Sequence, residues 1–202
     1  MNALFIHGMG RSPVSAWPML RKLRAGGLNV SSFNYFVSCE QVSRIVGRLS
    51  ERVNRMSGEG DYVLIGHSLG GVLIRAVLQA RSDIHPPAHA FLLGSPMKAV
   101  RLAQLFGPRM IFRAVTGDCG QMLGNVERMN SIGTLSCPTT AIVGTHGLPG
   151  TRLVFKDEVN DGIISVSEAS ADWITDHVHV PIAHSLLPTS PRVAKIILDR
   201  LT

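Results

Sequence analysis

Apolar and polar residues follow two periods along this chain, and the switches between them mark its elements. Residues 3–7, 62–65, 88–93 and 138–143 are short, nearly continuous apolar runs bounded by glycine, proline or polar clusters. Runs of that length predict interior strands covered on both faces. Residues 28–37 predict another strand, with Val30, Phe33, Tyr35 and Val37 as core contacts, and the alternating His177-Val-His-Val180 predicts a last one. Helical spacing appears in between. Trp17, Leu20 and Leu23 mark a helix over 15–25, stopped by Gly26-Gly27; Val42, Ile45, Val46, Leu49 and Val53 mark one over 40–56, broken by 57–60. Val72, Leu73, Ala76, Val77 and Ala80 mark a third, and residues 191–201 a closing helix. Repeated β-α units of this kind predict an α/β fold with three α/β/α layers and a doubly wound, mostly parallel sheet. Its active site belongs at the carboxyl ends of the strands.

Over residues 97–135 the periodicity is poor. Five glycines interrupt a mixture of Met, Phe, Leu and Arg, long enough for one or two short helices in a cap or lid insertion. Met97, Leu102, Leu105, Phe106, Met110, Phe112, Met122 and Leu123 could build an apolar acyl-binding wall there, or pack a surface helix onto the core.

Composition narrows the classes. A chain of 202 residues with 45% hydrophobic content supports one core, so residues 1–202 are expected to form a single domain without a linker. The longest apolar runs fall far short of the ~20 residues of a membrane span, and the amino terminus shows no basic start or secretory h-region, so the default location is the cytoplasm. Cys39, Cys119 and Cys137 are odd in number and widely spaced, which argues against a disulfide framework or a zinc knuckle. His85, His89 and His146 show no ligand spacing, so neither metal nor cofactor is expected. The net charge of +6 favours anionic partners, and transient contact with an anionic membrane surface or an acyl carrier is compatible with it. No dense basic block with interleaved aromatics is present, which argues against nucleic acid. Nothing in the chain specifies an oligomeric state.

The chemistry centres on Gly66-His67-Ser68-Leu69-Gly70, where an apolar strand turns into a helix within one turn. In so tight a turn the residues two before and two after the serine nearly collide, so both must lack a Cβ. The serine is forced into a strained conformation with its Oγ exposed, and the helix amino terminus faces the place where an oxyanion would form. The pentapeptide alone also fits a glycine-rich turn with a capping serine; the strand before, the helix after and downstream partners distinguish the two. With its neighbour Gly71, this stretch resembles the α/β-hydrolase superfamily, specifically its small bacterial lipase and esterase branch, in which Gly-His-Ser-Leu-Gly-Gly is a common elbow.

The resemblance implies roles for other positions. His7-Gly8, after the first core strand, would open the oxyanion loop, with the Met9 amide as one donor and the Leu69 amide as the other. On the residues alone, a simple glycine turn with a structural His7 remains open. Beginning at this strand, the fold would be the compact form lacking the first two strands of larger members. Ser95 and Pro96 would line the pocket beside the elbow, with Met97 and His67. Asn160-Asp161-Gly162, followed by a hydrophobic, serine-containing stretch, resembles the acid loop of small bacterial lipases and makes Asp161 the triad acid. It is also a plain turn sequence, and Asp157 and Glu158 lie close by. His184, in the loop between last strand and last helix, occupies the general base's place, whereas His179 reads as a packing or pocket-rim residue.

Serine is a weak nucleophile until an imidazole takes its proton, and a carboxylate sets the tautomer of that imidazole. Ser68, Asp161 and His184 in that chain order match the order of the α/β hydrolases. The expected activity is hydrolysis of a small-molecule or lipid acyl ester through an acyl-enzyme on Ser68. An acyl thioesterase or acyltransferase would use the same three residues, and a non-catalytic interaction protein on this fold would be expected to lack one of them.

Overall fold

The structure, a computed structural model, describes residues 1–81 and 83–201. Strand β1 (Asn2–Ile6) leads through a short 3-10 turn into helix α1 (Trp17–Ala25), and β2 (Asn29–Phe33) into α2 (Val42–Ser57). Then come β3 (Tyr62–His67), α3 (Leu69–Ala80) and β4 (His89–Leu93). Three helices follow: α4 (Arg101–Phe106), α5 (Met110–Gly124) and α6 (Val126–Asn130). The chain closes with β5 (Thr139–Gly144), α7 (Arg152–Phe155), β6 (Asp176–Val180), a 3-10 turn from His184 and α8 (Pro191–Asp199).

The strands form one sheet in the order β2-β1-β3-β4-β5-β6, and every recorded pairing is parallel. Period-two alternation divides the core between its faces. Leu4, Ile6, Leu64, Leu92 and Val143 pack with α2 and α3; Ala3, Phe5, Val63, Ile65, Phe91 and Ile142 pack with α1 and α8. That double burial explains why the sequence runs are apolar almost throughout. The order also locates a site. The chain steps outward from β1 to β2, then crosses back to β3, so the direction of winding reverses between β1 and β3. The carboxyl ends of those two strands diverge there and leave a crevice.

Several boundaries differ from expectation for local reasons. β2 stops at Phe33 because Tyr35 leaves the ladder: its ring stacks on His7 at 4.2 Å and its hydroxyl donates to the His7 carbonyl at 2.6 Å. α2 begins at Val42, and Glu40 accepts from the Phe36 amide and pairs with Arg48. Trp17 is 55% exposed rather than a core contact; the helix begins at it, so Met19, Leu20 and Leu23 form the inward stripe.

The 97–135 segment is more helical than its periodicity predicts, with three helices. Met97, Met122 and Leu123 are buried in the core, and Leu102 packs against it, so these do not form an acyl-binding wall. Phe106, Met110 and Phe112 line an exposed depression on α4 and α5 that Ser68 does not share. Among the described residues no helix is long and apolar enough to cross a membrane.

Candidate active site

Ser68 sits between β3 and α3 with φ 52° and ψ −119°, a conformation that L-residues avoid. Tertiary packing imposes it. The Ser68 amide donates to the Leu93 carbonyl at the end of β4 (2.8 Å), and the Ser68 carbonyl accepts from the Gly71 amide (3.1 Å). A Cβ on Gly66 would lie 2.5 Å from Gly71 backbone atoms, so the strand must lack one to let the helix begin. Gly70 is needed for a different reason from the one the local motif suggests. Its Cβ would lie 2.2 Å from the Ile6 carbonyl oxygen, so it makes room for β1 rather than for Gly66.

His184 and Asp161 are brought together from opposite ends of a long connection. The imidazole Nδ1 lies 2.7 Å from Asp161 Oδ2, and the His184 amide donates to the Asp161 carbonyl at 2.9 Å. The carboxylate is fully buried, and its Oδ1 accepts from the Ile163 and Ile164 amides at 3.0 and 2.9 Å. With Asp161 as acceptor, Nδ1 carries the proton and donates it to Oδ2, which leaves Nε2 free as the basic nitrogen. Asp157 pairs with Arg152 instead. Glu158 pairs with Arg101, and the Ser167 hydroxyl and Arg101 guanidinium hold its carboxyl down to about 2.

Ser68, Asp161 and His184 share a cleft of about 290 Å³. Met9, Leu148 and Ile163 supply its apolar wall, and Arg11 and His67 its polar one. Ser68 and His184 are not hydrogen-bonded across it, as is common before substrate tightens such a site. His67 is fully buried; burial, then the nearby His184 and Arg11, keep its pKa well below the ordinary value, so the ring is neutral. Its Nε2 lies 3.0 Å from the His184 carbonyl and donates to it.

On the β1 side, the Gly8 loop runs directly over the elbow: a Cβ on Gly8 would lie 3.1 Å from Ser68 Cβ and 2.8 Å from His67 Nδ1. The Arg11 amide donates to the Gly8 carbonyl at 3.2 Å, closing a turn around Met9 and Gly10. Among the described residues the Met9 amide makes no backbone hydrogen bond, and the Leu69 amide, first in α3, has no acceptor within its helix. His7 itself stacks beneath the loop, with Nε2 3.2 Å from Asn34 Oδ1.

Expectations for four pocket residues need correction. Ser95, Pro96 and Met97 are buried and do not line the cleft: the Ser95 hydroxyl donates to the Gly66 carbonyl at 3.3 Å, and the Met97 amide to the Glu168 carbonyl at 2.7 Å. Ser95 thus braces the elbow strand, while the Pro96 and Met97 carbonyls accept from Arg75 of α3. His179 is exposed and is not part of the rim. The sequence did not single out Arg11, Leu148, Ile163 or Ser185; Arg11's place two residues after Met9 was the one available signal.

No protein-family model matches the chain, and no curated sequence matches it. Solved structures do. The mature lipase of Bacillus licheniformis is 15% identical and superposes with a TM-score of 0.76 over 100% of this chain and 91% of that one. A metagenomic carboxyl esterase, 13% identical, gives 0.80 over 99% and 74%. A thioesterase of the prodiginine pathway in Streptomyces coelicolor, 15% identical, gives 0.60 over 100% and 89%. These likenesses concern backbone architecture, and with the parallel sheet and its winding they establish that the chain has the α/β-hydrolase fold.

Proposed function

We propose that this protein hydrolyses carboxylic esters through an acyl-enzyme on Ser68, with His184 as general base and Asp161 as the acid that orients it. One observation carries the reading: a 2.7 Å His184–Asp161 pair opens onto the same cleft as a serine held at φ 52°. Strain at a non-glycine residue persists only where the surroundings over-determine it, and such sites cluster where chemistry is done.

The chemistry follows from the geometry. His184 Nε2 takes the Ser68 proton as Oγ attacks the carbonyl carbon. The oxyanion forms beneath the Gly8 loop, within reach of the Met9 and Leu69 amides, and each such donor is worth roughly 3 kcal/mol of barrier. As the intermediate collapses, imidazolium returns the proton to the departing alkoxide. Water, deprotonated by His184, then releases the acid and restores Ser68. Solved relatives described as a lipase and a carboxyl esterase support an ester or lipid ester as substrate.

A thioester reading uses the same residues, and likeness to a described thioesterase favours keeping it. Parallel assays on an aryl ester series and an acyl-CoA separate the two. Stoichiometric labelling of Ser68 by a serine-directed phosphonate, with matching loss of esterase activity, tests the common step. An unlabelled, fully active protein would retire the proposal.

A further inference from the structure

The cleft holds a charge that the ester mechanism does not use. Arg11 lines it beside Ser68 and His184, and among the described residues its guanidinium makes no ion pair or hydrogen bond. Among the described residues six other arginines, at 48, 81, 101, 128, 152 and 200, pair with carboxylates. The one carboxylate in the cleft, Asp161, is fully buried and already accepts from two amides and the His184 ring. The Arg11 guanidinium is therefore left without a bonded carboxylate among the described residues.

Its position is built into the backbone. The Arg11 amide donates to the Gly8 carbonyl, and Gly10, the third residue of that turn, has φ +66°. A hydrogen-bonded turn with glycine at that position and positive φ is type II geometry, which needs glycine there for steric reasons. The turn fixes Arg11 to the loop that carries the Met9 amide. The field of Arg11 also reaches the buried His67 ring.

We propose that Arg11 recognises an anionic group on the substrate, so that the preferred ester carries a carboxylate or phosphate close to its scissile carbonyl. This rests on Ser68 being the nucleophile. An anion there would sit in a cleft with low-dielectric walls at Met9, Leu148 and Ile163, where attraction to a guanidinium is screened less than on an open surface. Arginine offers a planar fork that matches either oxyanion, and it keeps its charge at all working pH values. The anion could belong to the acyl chain or to the leaving group.

Two matched pairs distinguish these. Mono-p-nitrophenyl succinate against p-nitrophenyl butyrate places the charge on the acyl side; 4-carboxyphenyl butyrate against 4-acetylphenyl butyrate places it on the leaving side. The readout is the anionic-to-neutral ratio of kcat/KM for wild type, Arg11→Gln and Arg11→Glu. The ratio in at least one pair should fall by roughly tenfold in Arg11→Gln and further in Arg11→Glu, and high salt should compress the wild-type ratio. The pair that responds identifies the side. Ratios that stay the same in all three proteins, or that ignore salt, overturn the proposal. Binding of monophenyl succinate and phenyl butyrate to Ser68→Ala, followed by NMR titration, reads the same charge preference without turnover. If wild type hydrolyses none of the esters but Ser68→Ala prefers the anion through Arg11, the catalytic reading fails and the anion site stands. Equal binding of the two, or a preference that survives Arg11→Gln, removes the site.

Discussion

The His67 ring donates from Nε2 to the carbonyl of His184, 117 positions further along the chain, at 3.0 Å. The residue before the strained serine thus holds the backbone of the residue that would activate it. Gly94 follows the Leu93 whose carbonyl accepts from the Ser68 amide, and its missing Cβ leaves room for the His184 Nδ1 and Asp161 Oδ2 atoms. Small changes beneath the cleft should therefore act on catalysis without touching substrate.

Replacing Ser68 by Ala is expected to lower kcat on p-nitrophenyl butyrate by at least about 10³-fold, with unchanged circular dichroism. Ser68→Gly should do the same to activity yet melt at a higher temperature than the alanine variant, because glycine tolerates φ 52° and relieves strain of about 1 kcal/mol. Paired thermal melts check this; a glycine variant no more stable than alanine would show that the elbow stores no strain.

Asp161→Asn should reduce kcat by roughly 10³- to 10⁴-fold through loss of the correct His184 tautomer. Asp157→Asn, four residues earlier, should leave it within about twofold, because that carboxylate pairs with Arg152 on the surface. Steady-state kinetics on both variants decide which carboxylate serves the histidine. Equal losses would remove Asp161 from its role.

Gly94→Ala is expected to cost both stability and kcat. Its φ is +53°, and the new methyl would lie 2.8 Å from Leu187 Cδ1 and 3.1 Å from His184 Nδ1. Gly27→Ala, at φ +91° with no atom within 4 Å, carries the backbone strain alone, about 1–3 kcal/mol, and should leave kcat intact. Urea melts and kcat values for the pair separate strain from displacement of the imidazole.

Stability should decline as pH falls below the ordinary histidine value. Burial lowers the pKa of His7 and, much more, of His67, from 6.5. Between the unfolded and folded values the unfolded chain binds more protons, so stability is complete above about 6.5 and is lost progressively as pH falls from there through the lower folded values. Urea unfolding at several pH values should show a shallower slope in His67→Gln than in wild type. Identical slopes would mean that His67 protonates freely in the folded chain.

What was legible in the sequence was legible because it is local. Strand and helix periods within single short segments predicted every strand and the helices α1, α2, α3 and α8, since burial on one or two faces writes directly into spacing. Gly66 and Ser68 were readable for the same reason, the strand-to-helix turn being complete within a few residues. Asp161 and His184 could be named only through the resemblance, and their contact depends on β5 and β6 lying side by side. The order β2-β1-β3-β4-β5-β6 decided what spacing could not: that Gly70 yields to Ile6, that Ser95 is buried against the elbow, and that His67 reaches His184. Arg11 belongs to this second kind. Its motif is four residues long, but only the tertiary structure shows that no carboxylate among the described residues pairs with it, because pairing depends on where distant chain ends up in space.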